Sequence, residues 1–197
     1  MATEPTASAR TAGVSIRAIL TLVVVAVVVY LLDQGSKYLV VENLPPGESV
    51  EVIGTLLQFL FVRNPGAAFS FASGATWIFS IAASIVTIFI IFFARRIRSM
   101  GWAILFGMLL GGTLGNLTDR LLREPSFGLG HVVDFIQVAG FPAVFNIADS
   151  FIVASMGLFI ILTLRGIGLD GERVEKPEPG RKLRSAGSAS DDDAGAR

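Results

Sequence analysis

The fold class that the sequence predicts is an all-α membrane protein: four transmembrane helices, with a small extracytoplasmic β-rich element between helices 1 and 2. Three observations carry it. Of 197 residues, 52% are hydrophobic and 16% charged, and the mean hydropathy of +0.66 exceeds what a soluble domain of this size sustains. Four apolar stretches approach the roughly 20 residues that a helix needs to cross a bilayer core. Between the first two, "GESVEVIGTLLQFLFVRNPGAAFSFASG" alternates β-branched and aromatic residues between glycines, a strand signal.

The first helix is expected over about 16–41. Arg10 and Arg17 precede it as in a secretory signal, but no small-x-small cleavage site follows "VVVYLLDQ", so it reads as a retained span. The apolar run Ala18 to Leu32 is short, and continuing the helix through "DQGSKYLVV" sets Asp33 and Lys37 four residues apart on one face. The second helix is expected over 73–94 and lacks any charge. The third, 101–122, carries no charge before Asp119, and the fourth spans 146–165. The polar, Gly/Ser/Ala-rich ends, 1–14 and 169–197, are expected to be disordered cytoplasmic tails flanking a membrane domain over 15–168.

Sixteen Lys and Arg balance sixteen Asp and Glu, which gives no basic bias toward nucleic acid. The placement of the cations is more informative than their sum. Arg10 and Arg17 before the first helix, Arg95, Arg96 and Arg98 after the second and Arg165 after the fourth put both termini in the cytoplasm. The segments 42–72 and 123–145 then face outward. With no cysteine, the chain has no disulfide, thiolate metal site or cysteine nucleophile.

On that outer side, "VVDFIQVAGFPAVFNIADS" holds two aspartates, Asp134 and Asp149, in otherwise apolar surroundings. Asp149 follows Asn146 by three residues, as an acidic residue in the first turn of a capped helix would, about 4 to 5 Å below the helix start. Asp134 lies in an extended apolar pattern that could expose its acid on the solvated face of a loop. Fifteen residues separate them, with Gly140 and Pro142 between, enough for the chain to turn back and bring both carboxylates together. Two close carboxylates in a poorly solvated site share one proton, the chemistry of aspartic peptide hydrolysis. Asp119, His131 and Asp134 as metal ligands are the competing reading, but one histidine and scattered carboxylates match no recognised first-row metal pattern.

The residues "DQGSK" at 33–37, "RNPGAAFS" at 63–70, "GGTLGNLTDRLL" at 111–122, "HVVDFI" at 131–136 and "FNIADS" at 145–150 resemble, in order, the motif set of the bacterial lipoprotein signal peptidases, or signal peptidase II. The resemblance implies a four-helix inner-membrane aspartic endopeptidase that removes signal peptides from diacylglyceryl-modified prolipoproteins, cutting on the amino side of the lipidated cysteine. It implies Asp134 and Asp149 as the catalytic pair, with Asn64, Asn116, Arg120 and Asn146 lining the site, and Asp33, Lys37 and Asp119 as a structural ion pair and support. No metal or other cofactor is expected, and no nucleic-acid partner. The expected partners are the prolipoprotein and membrane lipid, acting on a monomer. Gly111, Gly112 and Gly115 would allow close helix approach or substrate access, and "RNPGAAF" would reach back over the site. "FPAVFN" and the longer "REPSFGLG" loop before His131 depart from the commoner family form. The alternative is a small proton- or ion-coupled transporter subunit using the paired aspartates. It predicts carboxylates near mid-bilayer and internal repeats, neither of which the sequence displays.

Overall fold

A computed structural model describes residues 14–66 and 76–173. Four helices in it are long and apolar enough to cross a membrane. Helix α1 (Ile16–Asn43) is capped by Ser15, whose hydroxyl accepts from Ala18 N at 3.3 Å. Its 28 residues make about 42 Å at 1.5 Å each, longer than the hydrocarbon core, so α1 runs past Asp33 and Lys37 without interruption. Its buried residues, Ala18, Leu22, Ala26, Val29, Asp33, Lys37 and Val40, recur every three or four positions and form one stripe. The other spans are α2 (Thr76–Phe93), which ends in a short 3-10 turn at Ala94–Arg96, α3 (Met100–Leu122) and α4 (Ile147–Leu164).

Helix α3 is the centre of the bundle and packs against the other three. Its glycines permit this. A Cβ at Gly111 would lie 2.5 Å from Ala26 O of α1, and one at Gly112 would lie 2.7 Å from Ala148 O of α4, so both backbones approach closer than any larger residue allows. At one end of the bundle Leu22, Ile90, Ile97, Trp102, Leu105 and Leu162 form an apolar core. The chain after α4 returns to this end. Trp102 Nε1 donates to Ile167 O at 2.9 Å, and Arg98 N and Ser99 N both donate to Leu169 O at 2.9 Å. Together with the bond from Gly168 N to Glu172 O (2.8 Å), these hydrogen bonds carry described backbone past position 169, where the tail was expected to begin, to Arg173.

At the other end lies an antiparallel sheet in the order β1 (Ser49–Ile53), β2 (Leu57–Asn64), β3 (Val132–Val138). The β-rich element between the first two helices is there, but it takes its third strand from the segment between α3 and α4. Strand β3 pairs with β2 so that Asp134 stands opposite Val62 and Val132 opposite Asn64. Val40, Phe61, Val133 and Phe135 seat the sheet on the end of α1, and Phe59 meets Phe135 edge to face at 5.6 Å. Most of "RNPGAAF", the expected start of the second helix at 73, and the ends 1–13 and 174–197 lie outside the described residues.

Candidate active site

Asp134 and Asp149 meet at the sheet end of the bundle, one from β3 and one from the third position of α4. Asn146 joins them. As N-cap of α4 it accepts Asp149 N on its side-chain oxygen (3.0 Å), while its own backbone N–H donates to Asp149 Oδ2 (3.2 Å), a reciprocal capping box. Its side-chain nitrogen is thereby left to face inward, where it donates to Asp134 Oδ1 at 2.6 Å and to Asn116 Oδ1 at 3.0 Å. Capping by Asp149 and its place beside Asp134 are thus one arrangement, with Asn146 fully buried between them.

Asp134 is 2% exposed, which corrects the picture of a carboxylate on the solvated face of a loop: strand pairing with β2 turns it inward. Its second oxygen accepts from Asn64 Nδ2 at 2.7 Å. Asn64 closes the turn before Pro65 by accepting Gly66 N (2.8 Å), which fixes its amide orientation toward Asp134. On α3, Asn116 Nδ2 donates to Asp149 Oδ1 at 2.8 Å. Each aspartate therefore accepts two N–H donors. Among the described residues neither forms an ion pair. Burial pushes the Asp134 carboxyl up to about 6, and the neighbouring charge of Asp149 adds to the rise, while the amide donors of Asn64 and Asn146 and the charge of Lys37 oppose it.

Arg120, also on α3, places its guanidinium 5.1 Å from the ring centre of Phe79 and feels the charges of Asp134 and Asp149. Its Nη1 is buried without a hydrogen-bond partner among the described residues. One turn of α3 away, Asp33 and Lys37 form the expected ion pair at 2.8 Å, both fully buried, and Lys37 also reaches Asp119 at 2.9 Å. Asp119 in turn binds Arg123 at 2.6 Å. A Cβ at Gly115 would collide with the Asp33 carboxylate, so glycine is required where α3 passes this pair.

The two aspartates and Asn64 form the polar floor of a cavity of about 570 Å³ whose walls include Phe141, Val144, Phe145 and Val153. Of the nine residues expected at the site, eight are joined by hydrogen bonds and ion pairs, and Arg120 lies beside them without such a bond among the described residues. Sequence reasoning missed Gln34, which donates to Asp33 Oδ2 (3.1 Å) and Gly115 O (3.0 Å), and the apolar walls. Gln34 lies inside the "DQGSK" run that the sequence offered without being singled out there, and Arg123 was findable from its four-residue spacing to Asp119. His131 is directed elsewhere, into a shallow recess with Arg63 and Glu124. Among the described residues no three His, Cys, Asp or Glu gather as metal ligands, so Asp119, His131 and Asp134 do not meet as such a group.

Four apolar spans with an un-ion-paired carboxylate pair in an apolar-walled cavity at one end define a multi-pass membrane protein with a carboxylate-pair site. The family model described as signal peptidase (SPase) II matches residues 25–165. A lipoprotein signal peptidase of Leifsonia xyli is 59% identical over 91% of this chain and 82% of its own length. That of Streptomyces griseus is 51% identical over 81% of each chain. A bacterial membrane enzyme structure obtained by the in meso method at 2.3 Å superimposes with a TM-score of 0.68 at 32% identity, covering 83% of this chain and 98% of the other. The chain belongs to the signal peptidase II family, and is a peptidase of the membrane.

Proposed function

We propose that the protein removes signal peptides from diacylglyceryl-modified prolipoproteins, cleaving on the amino side of the lipidated cysteine, with Asp134 and Asp149 as an aspartic dyad. The observation that carries this reading is the carboxylate pair itself, Asp134 buried and Asp149 half-buried beside it, both held by amide donors rather than neutralised by cations. The lipoprotein signal peptidases among its relatives supply the substrate class. They lend nothing to an ion-coupled transporter.

Asp134, pushed up to about 6 by burial, is the carboxyl that carries the proton and hydrogen-bonds the scissile carbonyl. Asp149 takes a proton from the attacking water. The oxygen–carbon bond forms as the carbonyl becomes a tetrahedral centre, and the acquired proton then passes to the leaving nitrogen as the carbon–nitrogen bond breaks. Asn64, Asn116 and Asn146 orient the two carboxyls. Arg120, with its unpartnered Nη1 among the described residues, holds a substrate backbone carbonyl. The apolar walls at Phe141, Phe145 and Val153 receive the lipid-bearing side of the substrate from within the bilayer. The enzyme acts as a monomer in the cytoplasmic (inner) membrane, with both termini in the cytoplasm and the dyad at the outer face, and uses no cofactor.

The test is a gel-shift assay on a lipidated precursor. Asp134→Asn and Asp149→Asn each abolish cleavage while the protein still inserts, since an amide neither accepts the proton nor shares it. Near-normal processing by either purified variant refutes the dyad.

A further inference from the structure

Behind the dyad, Lys37 makes three contacts that converge on it. Its ammonium bridges Asp33 at 2.8 Å and Asp119 at 2.9 Å and donates to Asn116 Oδ1 at 2.9 Å. Asp33 uses its other oxygen to accept Ala148 N at 2.9 Å, the residue just before Asp149. Asp119 uses the Lys37-bound oxygen to accept Val133 N at 3.1 Å, the residue just before Asp134. One buried cation thus ties together two carboxylates, each of which grips the backbone beside one member of the dyad. The third contact sets an amide. Asn116 Oδ1 takes both Lys37 Nζ and Asn146 Nδ2, which leaves Asn116 Nδ2 to point at Asp149.

The geometry points to Lys37 as a positioning residue for the reaction: a buried clamp, Asp33–Lys37–Asp119, that fixes the separation of Asp134 and Asp149 and the orientation of the Asn116 amide between them. This goes beyond an ion pair that anchors α1, because both of its arms end on catalytic backbone from other elements, β3 and α4. It rests on the dyad reading. The clamp also acts on proton affinity. The charged groups near Asp134 are Asp149 on α4, Lys37 on α1, and Arg120 and Asp119 on α3, and the Lys37 charge favours the ionised carboxylate of Asp134.

The experiment separates positioning from stability with two variants of the full chain in detergent, assayed on lipidated precursor. Lys37→Met leaves two buried carboxylates facing each other and lowers the melting temperature. Lys37→Met/Asp33→Asn removes one charge of each sign, keeps an acceptor for Ala148 N, and recovers melting temperature. The clamp is absent from both, so kcat per folded molecule falls on the order of 100-fold in each with a much smaller change in KM, and the alkaline limb of the pH profile moves to higher pH. A double variant with wild-type kcat and pH profile overturns the inference, and it decides the matter even if the single variant does not fold. Asp149→Asn run alongside separates the two readings. An inactive control beside a fully active double variant overturns the clamp alone, whereas an active control removes the dyad and the clamp with it.

Discussion

The raised proton affinity of Asp134 makes stability depend on pH in a direction opposite to that of an ion-paired carboxylate. The folded protein binds this proton more tightly than the unfolded chain does, the affinity rising from 3.8 to about 6. Asp134 therefore contributes fully to stability below about pH 4, and that contribution is lost as pH rises through about 6. The loss is about 3 kcal/mol, from roughly two pKa units at 1.36 kcal/mol each. Asp134 is 2% exposed, so solvent screening does not erode it. Asp134→Asn has no such proton to lose. Its amide also opposes the Asn64 and Asn146 donors, a penalty that is the same at every pH, so the informative quantity is the change with pH of the stability difference between variant and wild type. Unfolding free energies in mixed micelles at pH 4 and pH 7 should show the variant gaining on wild type by about 2 kcal/mol across that interval, the rest of the change lying below pH 4 and above pH 7. A difference that stays constant with pH would sink the reasoning, because it would mean that Asp134 titrates alike in both states.

Reporter fusions after Leu169 and within Arg95 to Arg98 should report cytoplasm, and fusions near Glu48 and Phe127 the outer side; an inverted pattern puts the dyad at the wrong face. A precursor without its diacylglyceryl group should lose both apparent affinity and rate at saturation, since each buried CH₂ is worth about 0.8 kcal/mol and the chains also set the depth of the scissile amide. Equal efficiencies on matched lipidated and unlipidated precursors would point to a general membrane peptidase. Gly112→Val should destabilise by about 1–3 kcal/mol, because its Cβ meets Ala148 O at 2.7 Å, and should lower cleavage through the displaced Asp149; an unchanged melting temperature would show that α3 and α4 do not approach as described.

The four spans were legible because hydropathy is a local property, and the aspartates because isolated charge in an apolar run is conspicuous. The Asp33–Lys37 pair was equally local, being one helical turn. What joins these pieces is not local. Asn64 and Asp134 are seventy residues apart, and their contact depends on the pairing of β2 with β3, which an extended apolar pattern around Asp134 could not specify. For the same reason Asp134 read equally well as a solvated loop residue. Asp119 was visible as a charge at the end of α3, but its grip on Val133 N depends on where β3 lies. The ordered return of residues 165–173 onto Trp102 and Ser99 escaped because it is made of backbone hydrogen bonds, which composition does not record.

The charges around the carboxylate pair fall into two sets, and on the proposed reading the division accounts for which residues can do chemistry. Asp33 and Asp119 are matched by Lys37 and Arg123 at 2.6 to 2.9 Å, so no member of that group is available to bind substrate. Lone buried charges are costly and paired ones tolerable, which is why Asp33, Lys37 and Asp119 can sit fully buried while Arg123 reaches the surface. Asp134 and Asp149 have no cation at ion-pair distance among the described residues; instead they have amide donors, which orient a carboxylate without neutralising it. On the proposed dyad reading, in which the pair shares one proton, it carries one negative charge, and Arg120 carries one positive charge close enough to act on both. That group is neutral as a whole without a direct bond between cation and carboxylate. In the proposed mechanism that separation matters, because a contact ion pair would use up both the carboxylates and Arg120 Nη1, which is without a hydrogen-bond partner among the described residues.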